Sequence, residues 1–229
     1  MLKHPIPVSD FLGSLPLFRG FDAADLRRLA EGIRPVDAPR GTVLARRGDH
    51  CDGVYVIVYG QVKLALQAQR GNEKIIEILG RGQTFGEFAM FLDQPYRSTA
   101  ETLVDSKLLH IAKPTVMEEL ERQPAFARGM IAALCRRLSR LFAEIEGYTL
   151  HNGTQRVSAY LLNQMDEPEA LATADITLPV RKGIIASHLN LTHEHFSRIL
   201  HELVATGLIE VKGRAVRILD AAKLRSIAA

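Results

Sequence analysis

The hydrophobic and polar positions of this chain change rhythm from one stretch to the next, and each rhythm predicts a different element. Near the start, Leu26, Leu29 and Ile33 fall on one helical face behind Asp22, a candidate N-cap, with an acid at Asp25. From Val36 to Ile111 the spacing turns to short β-branched or alternating runs: Thr42–Ala45, Gly53–Val58, Gln61–Leu66, Lys74–Leu79 and Lys107–Ile111. Gly41, Gly48, Gly60, Gly71, Gly80 and Gly82 mark turns between them. Regular short strands with glycine turns predict a closed or rolled antiparallel sheet.

From Pro124 to Tyr148 the pattern is helical again. Ala127, Ile131, Leu134, Leu138, Leu141, Ile145 and Tyr148 recur at 4-3-4-3-4-3, the seam of a two-stranded coiled coil, which predicts a homodimer. A helix buried along one side of a monomer shows similar spacing. Arg136, Arg137, Arg140 and Glu144 lie off the seam, and Gly147 with Asn152-Gly153 marks a hinge or boundary.

The remainder begins with a helix, Thr154 to Met165, whose Val157, Tyr160, Leu161 and Met165 point inward. A loop with Asp166, Glu167 and Pro168 precedes a strand-like run, Ile176–Val180. Then Gly183–Leu189 reads as a short helix, Asn190-Leu191 as a tight connection and Thr192 as the N-cap of a second helix. In that second helix Phe196, Ile199, Leu200 and Leu203 form the apolar stripe. Glu194, Ser197, Arg198 and His201 take the outer face, with His193 at the helix start. Two helices joined this closely form a helix-turn-helix, whose second helix enters the major groove of DNA. Gly207 is a suitable stop, and Leu208–Val211, a Lys212-Gly213-Arg214 turn and Val216–Leu219 make a hairpin, the wing of a winged helix. Ordinary surface helices also carry a polar face, and a Glu-Arg pair at i, i+4 is commonly a solvated ion pair, so the helix alone leaves both readings open.

A chain of 229 residues with 47% hydrophobic and 24% charged residues has room for one large domain or two smaller ones of ordinary globular make-up. The net charge of +3 and a pI near 8.9 are too mild to imply nucleic acid, so an argument for DNA must be local. No apolar run approaches the ~20 residues of a membrane span, and the first residues lack the apolar core of a signal peptide. A cytoplasmic protein without membrane contact is expected. Cys51 and Cys135 are far apart and cannot alone build an iron–sulfur cluster or a structural zinc site. His193 and His195 point to different sides of a helix, and H-E-H is not the H-E-x-x-H of zinc peptidases, so no metal site is expected. Glu87 and Asp93 are isolated acids with no nucleophile, base and orienting group around them, which argues against an enzyme.

With these elements in place, nearly the whole chain resembles the Crp/Fnr family of bacterial transcription regulators. Three stretches carry the resemblance: Val54–Lys63, similar to the family's strand-glycine-strand signature; Gly82–Ala89, similar to its phosphate-binding cassette; and Glu194–Arg198. The resemblance implies an α+β fold. Residues 1–123 would form an antiparallel β-roll of the cyclic-nucleotide-binding type, 124–150 a coiled-coil dimerisation helix and hinge, and 151–229 a winged helix-turn-helix. It implies a homodimeric, sequence-specific regulator of transcription, controlled by an effector bound in or near the roll, with double-stranded DNA and RNA polymerase as partners.

By similarity to the Glu-x-x-Ser-Arg pattern of the Fnr-like branch, the second helix would read TTGA-type half-sites. Glu194 would accept from a cytosine amino group, Arg198 would bond guanine O6 and N7, and Ser197 would meet the neighbouring thymine. His193 matches neither main branch, so the resemblance assigns it no base. Thr192, Arg181, Lys182, Lys212, Arg214 and Arg217 are placed for phosphate contacts, which set register rather than sequence.

For the effector, the resemblance implies a cradle of Gly86, Glu87 and Phe88 followed by Arg97 and Ser98, parts that hold a cyclic nucleotide elsewhere in the family. Arg97 lies about one residue out of register. Leu141 and Phe142, beside Leu138 on the long helix, stand where sensors of cyclic AMP carry a Thr-Ser pair for the adenine. Haem is the other candidate, as in the Dnr-like branch, which the chain resembles at Arg137-Leu138, Ile145-Glu146 and Thr149-Leu150. His4, His50, His110, Cys51 and Cys135 are the available donors, without diagnostic spacing. An alternative is a sensory or scaffold module that uses roll and winged helix for protein contacts.

Overall fold

The structure is a computed structural model, and it describes residues 8–18, 21–67, 73–165 and 172–228. His4, Gly71 and the loop with Asp166, Glu167 and Pro168 lie outside the described residues. The chain forms two compact units, Met1–Ser139 and Arg140–Ala229.

The first unit runs α1 (Val8–Gly13), a 3-10 turn (Pro16–Phe18), α2 (Ala23–Glu31), β1 (Ile33–Ala38), β2 (Val43–Ala45), β3 (Gly53–Tyr59) and β4 (Val62–Gln67). It continues through β5 (Glu73–Leu79), β6 (Thr84–Phe85), α3 (Glu87–Phe91), β7 (Thr99–Thr102), β8 (Ser106–Ala112) and α4 (Lys113–Arg122) into α5 (Pro124–Leu150). The strands pair antiparallel in two sheets, β1-β8-β3-β6 and β2-β7-β4-β5. Alternation along the strands sends Val54, Val56, Leu64, Leu79, Phe85, Leu109 and Ile111 into one core, with Phe18 and Phe126 stacked at its helical end, ring centroids 5.6 Å apart.

Asp22 caps α2 as its sequence predicts, accepting from the Ala24 and Asp25 amides while Asp25 reaches back to the Asp22 amide. Ile33 is a correction: α2 stops at Gly32, and Ile33 opens β1, paired with Ile111. β1 is hard to see in sequence because Pro35 and Asp37 interrupt its apolar pattern, and both are tolerated because β1 is an edge strand. The strand expected at Lys107–Ile111 lies within β8, and β7, just before it in the chain, belongs to the other sheet. Gly147 does not end the long helix, which continues to Leu150, where the His151 amide donates to the Gly147 carbonyl.

The second unit continues with α6 (Gly153–Leu162), β9 (Ala174–Thr177), α7 (Lys182–His188), α8 (His193–Ala205), β10 (Ile209–Lys212), β11 (Ala215–Ile218) and α9 (Ala221–Ala228). The strand near Pro179 is earlier than expected: β9 ends at Thr177, and Leu178 onward leaves the sheet. β9, β10 and β11 form one sheet in the order β10-β11-β9. Val157, Leu161, Ile185, Phe196, Ile199, Leu200, Leu203, Val216, Ile218 and Leu224 are buried in this unit.

Candidate nucleic-acid interface and effector site

The second unit builds a helix-turn-helix from local chemistry. α7 ends at Leu189, and Asn190 takes a left-handed conformation with φ of 57°, one that asparagine tolerates better than most residues. The Leu191 amide closes the turn on the Ala186 carbonyl at 2.8 Å. Thr192 then caps α8, its hydroxyl accepting from the His195 amide at 3.1 Å. At the other end Gly207, φ 69°, allows the Leu208 amide to return to the Leu203 carbonyl and the chain to enter β10.

This frame turns Phe196, Ile199, Leu200 and Leu203 into the core and leaves His193, Glu194 and Arg198 exposed, with Ser197 half-buried. Neither Glu194 nor Arg198 is hydrogen-bonded or ion-paired to another described residue, so the intrahelical pair suggested by their i, i+4 spacing does not form. Thr192, Arg181, Lys212 and Arg214 are exposed and Lys182 is half-buried; Lys212 and Arg214 flank the wing turn. Arg217 differs from them. It donates to both oxygens of Asp175 across β11 and β9, at 2.7 and 3.2 Å, and that pairing holds the Asp175 carboxyl below the usual carboxylate range.

Tyr148 and Arg156 tie the end of α5 to the helix-turn-helix. The Tyr148 hydroxyl donates to the His188 carbonyl at 2.5 Å, and Arg156 donates to the Leu189 carbonyl at 3.1 Å and the His151 carbonyl at 2.7 Å. Burial, with Glu144 nearby, pushes the Tyr148 phenol up to about 12. Arg156 is invisible to sequence pattern because its partners are backbone carbonyls. Along α5, Ile131 (61% exposed), Leu138 (54%) and Ile145 (59%) form an uncovered apolar stripe with Leu134, while Ala127 and Leu141 are half-buried. Phe142 is 64% exposed beside that stripe.

In the first unit the cradle begins at Gly86, φ 103°, where a Cβ would lie 2.7 Å from the Gly53 carbonyl oxygen. Only glycine fits both the backbone and the space. Glu87 follows, 2% exposed, and Phe88 is exposed. Arg137 of α5 reaches the Glu87 carboxylate at 3.3 Å and is held more tightly by Glu77 of β5, through Nη2 at 2.6 Å and Nε at 3.0 Å. Burial raises the Glu87 carboxyl above its ordinary value, against the opposing pull of a Thr84 hydrogen bond and the Arg137 charge. Arg97 corrects the expectation of a cationic fork beside Glu87: its guanidinium is exposed, donates to Gln94 at 2.9 Å and lies 4.8 Å over the Phe88 ring. Ser98 is half-buried. The cation that meets Glu87 is Arg137, from a position off the α5 seam. Glu77 was legible in principle, because it stands in phase with the inward Ile75 and Leu79.

Residues 35–123 match the cyclic nucleotide-binding domain family, and residues 155–227 match the Crp-like helix-turn-helix domain. The solved structure of DNR from Pseudomonas aeruginosa is 31% identical, covers 99% of this chain and 100% of its own, and superposes with a TM-score of 0.51. The chain belongs to the Crp/Fnr family. Among its Crp/Fnr relatives, a "CRP-like cAMP-activated global transcriptional regulator" of Mycobacterium tuberculosis is 24% identical over 95% of this chain and 98% of its own. The structure of FixK2 from Bradyrhizobium japonicum, 21% identical, covers 86% of this chain and 98% of its own with a TM-score of 0.76, a likeness of fold. This chain is therefore a Crp-family DNA-binding transcription regulator with an effector-binding domain. Among the described residues no helix is long and apolar enough to cross a membrane.

The cyclic nucleotide implied by the Crp/Fnr-type roll does not fit the residues present. A cyclic phosphate needs an uncommitted cation, and here Arg97 is turned to the surface while Arg137 is shared by two carboxylates. Haem fits no better among the donors of the described residues. His110 is buried, but its Nε2 is engaged by Asp52 at 3.1 Å, and Tyr55 packs on the ring. The Cys51 thiol is buried and donates to the Gly53 and Gly86 carbonyls, while His50 and Cys135 are exposed. No three His, Cys, Asp or Glu side chains converge on a metal position among the described residues.

Proposed function

We propose that this regulator works as a homodimer that reads a TTGA-type palindrome. The observation that carries the reading is the outer face of α8, where Glu194 and Arg198 stand exposed and uncommitted while the opposite face is fully packed. Arg198 bonds guanine O6 and N7 in each half-site, Glu194 accepts from a cytosine amino group, and Ser197 meets the thymine beside them. His193, at the first turn, contacts the outermost pair. Arg181, Lys182, Thr192, Lys212, Arg214 and Arg217 hold the phosphates, Arg217 by exchanging Asp175 for a phosphate oxygen.

Residues 124–150 are the dimerisation segment between an effector domain, 1–123, and a DNA-binding domain, 151–229. The stripe of Ala127, Ile131, Leu134, Leu138, Leu141 and Ile145, with Tyr148 at its end, packs against its own copy and sets two recognition helices ~34–36 Å apart. An effector at the roll, near Gly86, Glu87, Phe88, Ser98 and Leu138, shifts the population between DNA-competent and incompetent arrangements. The bound dimer contacts RNA polymerase in the compartment that holds the chromosome.

Fluorescence anisotropy of the full chain on a TTGA palindrome and on a scrambled duplex tests this, paired with sedimentation of the free protein. A dimer that prefers the palindrome, with affinity falling steeply as salt rises, is expected. Equal affinity for both duplexes defeats the sequence-specific reading, and a weak salt dependence returns the protein-contact alternative.

A further inference from the structure

The turn that presents α8 is held from outside by two side chains, one from α5 and one from α6. α7 is seven residues long, and its last carbonyls have no partner within the helix. The turn itself uses two of them: the Leu191 amide returns to Ala186 and the Asn190 amide to Ser187. The next two carbonyls, of His188 and Leu189, are met by the Tyr148 hydroxyl at 2.5 Å and by Arg156 Nε at 3.1 Å. α8 starts at His193, just beyond them. Arg156 also donates through Nη1 to the His151 carbonyl at 2.7 Å, so one guanidinium bridges the end of α5 and the end of α7. A cation suits the negative ends of both helices. Tyr148 stands on the part of α5 that belongs to the second unit, and burial, with Glu144 nearby, pushes its phenol up to about 12, which keeps it a donor at neutral pH. Glu144, one turn earlier, lies 3.9 Å from the His188 ring. Only His151 and Asn152 separate α5 from α6, and Asn152 is locked in a capping box with Gln155. Gly153 then brings α6 against α8, since a Cβ there would lie 3.0 Å from Ile199 Cδ1.

We propose that Tyr148 and Arg156 are positioning residues for DNA recognition: they fix the angle at which the end of α5 carries the helix-turn-helix, and thereby the half-site spacing that the dimer accepts. The inference rests on the reading of the chain as a dimer that binds a palindrome through α8. One hydrogen bond leaves its acceptor free to pivot, whereas two from different helices onto adjacent peptide groups fix its orientation. Spacing is where such an angle shows, because moving a half-site by one base pair shifts it by ~3.4 Å and turns it by ~35° about the duplex axis. A rigid frame cannot follow that change in both protomers at once, and a loosened one can. Neither residue has to touch DNA, and neither alters which base α8 reads.

The test is fluorescence anisotropy of the full chain on TTGA palindromes whose half-sites stand at the best-bound spacing, one base pair closer and one base pair farther, with wild type, Tyr148→Phe and Arg156→Lys. Phenylalanine keeps the ring and loses the hydroxyl; lysine keeps the charge and loses the fork that spans two carbonyls. The wild type prefers one spacing, and each variant reduces that preference roughly three- to tenfold, the effect of one hydrogen bond, with the dimer in sedimentation and the salt slope unchanged. Folded, dimeric variants that keep the full preference overturn the proposal. So does a wild type that binds every spacing equally while preferring them all to a scrambled duplex, an arm that requires no variant to fold. Hydrogen exchange at the Asn190 and Leu191 amides reads the clasp without DNA: exchange faster by a similar factor in both variants supports it, and unchanged exchange overturns it. A wild type that treats palindrome and scrambled duplex alike defeats the regulator reading and with it the spacing consequence, while the exchange result still decides whether the two residues hold the turn.

Discussion

The interior of the β-roll and the outer face of α8 both carry glutamate and arginine, and they treat them in opposite ways. In the roll the half-buried Arg137 is hydrogen-bonded to the buried Glu77 and Glu87. On α8, Glu194 and Arg198 are spaced to pair with each other and do not. A charge already satisfied inside the fold has little to offer a ligand. A charge left in solvent on a rigid, packed helix is available to one at low reorganisation cost. Residue types therefore identify neither site; commitment does.

The contrast is broken most forcefully in the roll. Arg137→Met leaves two buried carboxylates without their shared cation, and chemical denaturation should show a loss of about 3–5 kcal/mol in the first unit's transition. If that transition moves by less than ~1 kcal/mol, the triad is not a closed, interdependent unit. On α8 the same kind of change spares the fold: Arg198→Ala should leave stability within ~0.5 kcal/mol and cost ~1–3 kcal/mol of discrimination for the palindrome. Thr192→Ala removes only the cap of α8 and should cost ~1 kcal/mol of second-unit stability, read by the same denaturation. If Lys212 holds a phosphate as proposed, Lys212→Ala should weaken binding to all sequences alike and reduce the salt slope by about 1. The smallest effect concerns pH. Glu87 keeps its proton in the native state to a higher pH than in the unfolded chain, so the native state binds more protons across that window and stability falls as pH rises through it. Glu87→Gln should flatten this slope in a pH series of denaturation curves; an unchanged slope assigns it to another group.

The recognition face was legible in sequence because helical periodicity separates inside from outside without further information. Phe196, Ile199, Leu200 and Leu203 define the buried side, and Thr192 fixes where the helix starts. The rolled sheet was legible for the reason that glycine turns and alternation are local signals. β1 was hidden by Pro35 and Asp37 on an edge, and β7 by its shortness. The roll's charge cluster was not legible as a unit, since Glu77, Glu87 and Arg137 come from a strand, a short helix and the long helix, and only the fold brings them together. Arg97 resembled the partner of Glu87 in sequence order, but it stands in the bend just before β7 and settles over Phe88.

The central claim is that Arg198 is left uncommitted by the fold in order to read a guanine, and a two-by-two binding cycle tests it most directly. Wild type and Arg198→Ala are titrated on the TTGA palindrome and on a duplex with that guanine pair replaced in both half-sites. The wild type should lose ~1–3 kcal/mol per half-site on the replaced duplex, and Arg198→Ala should bind both duplexes with nearly equal affinity. An Arg198→Ala protein that still discriminates the two duplexes as well as the wild type would contradict the account.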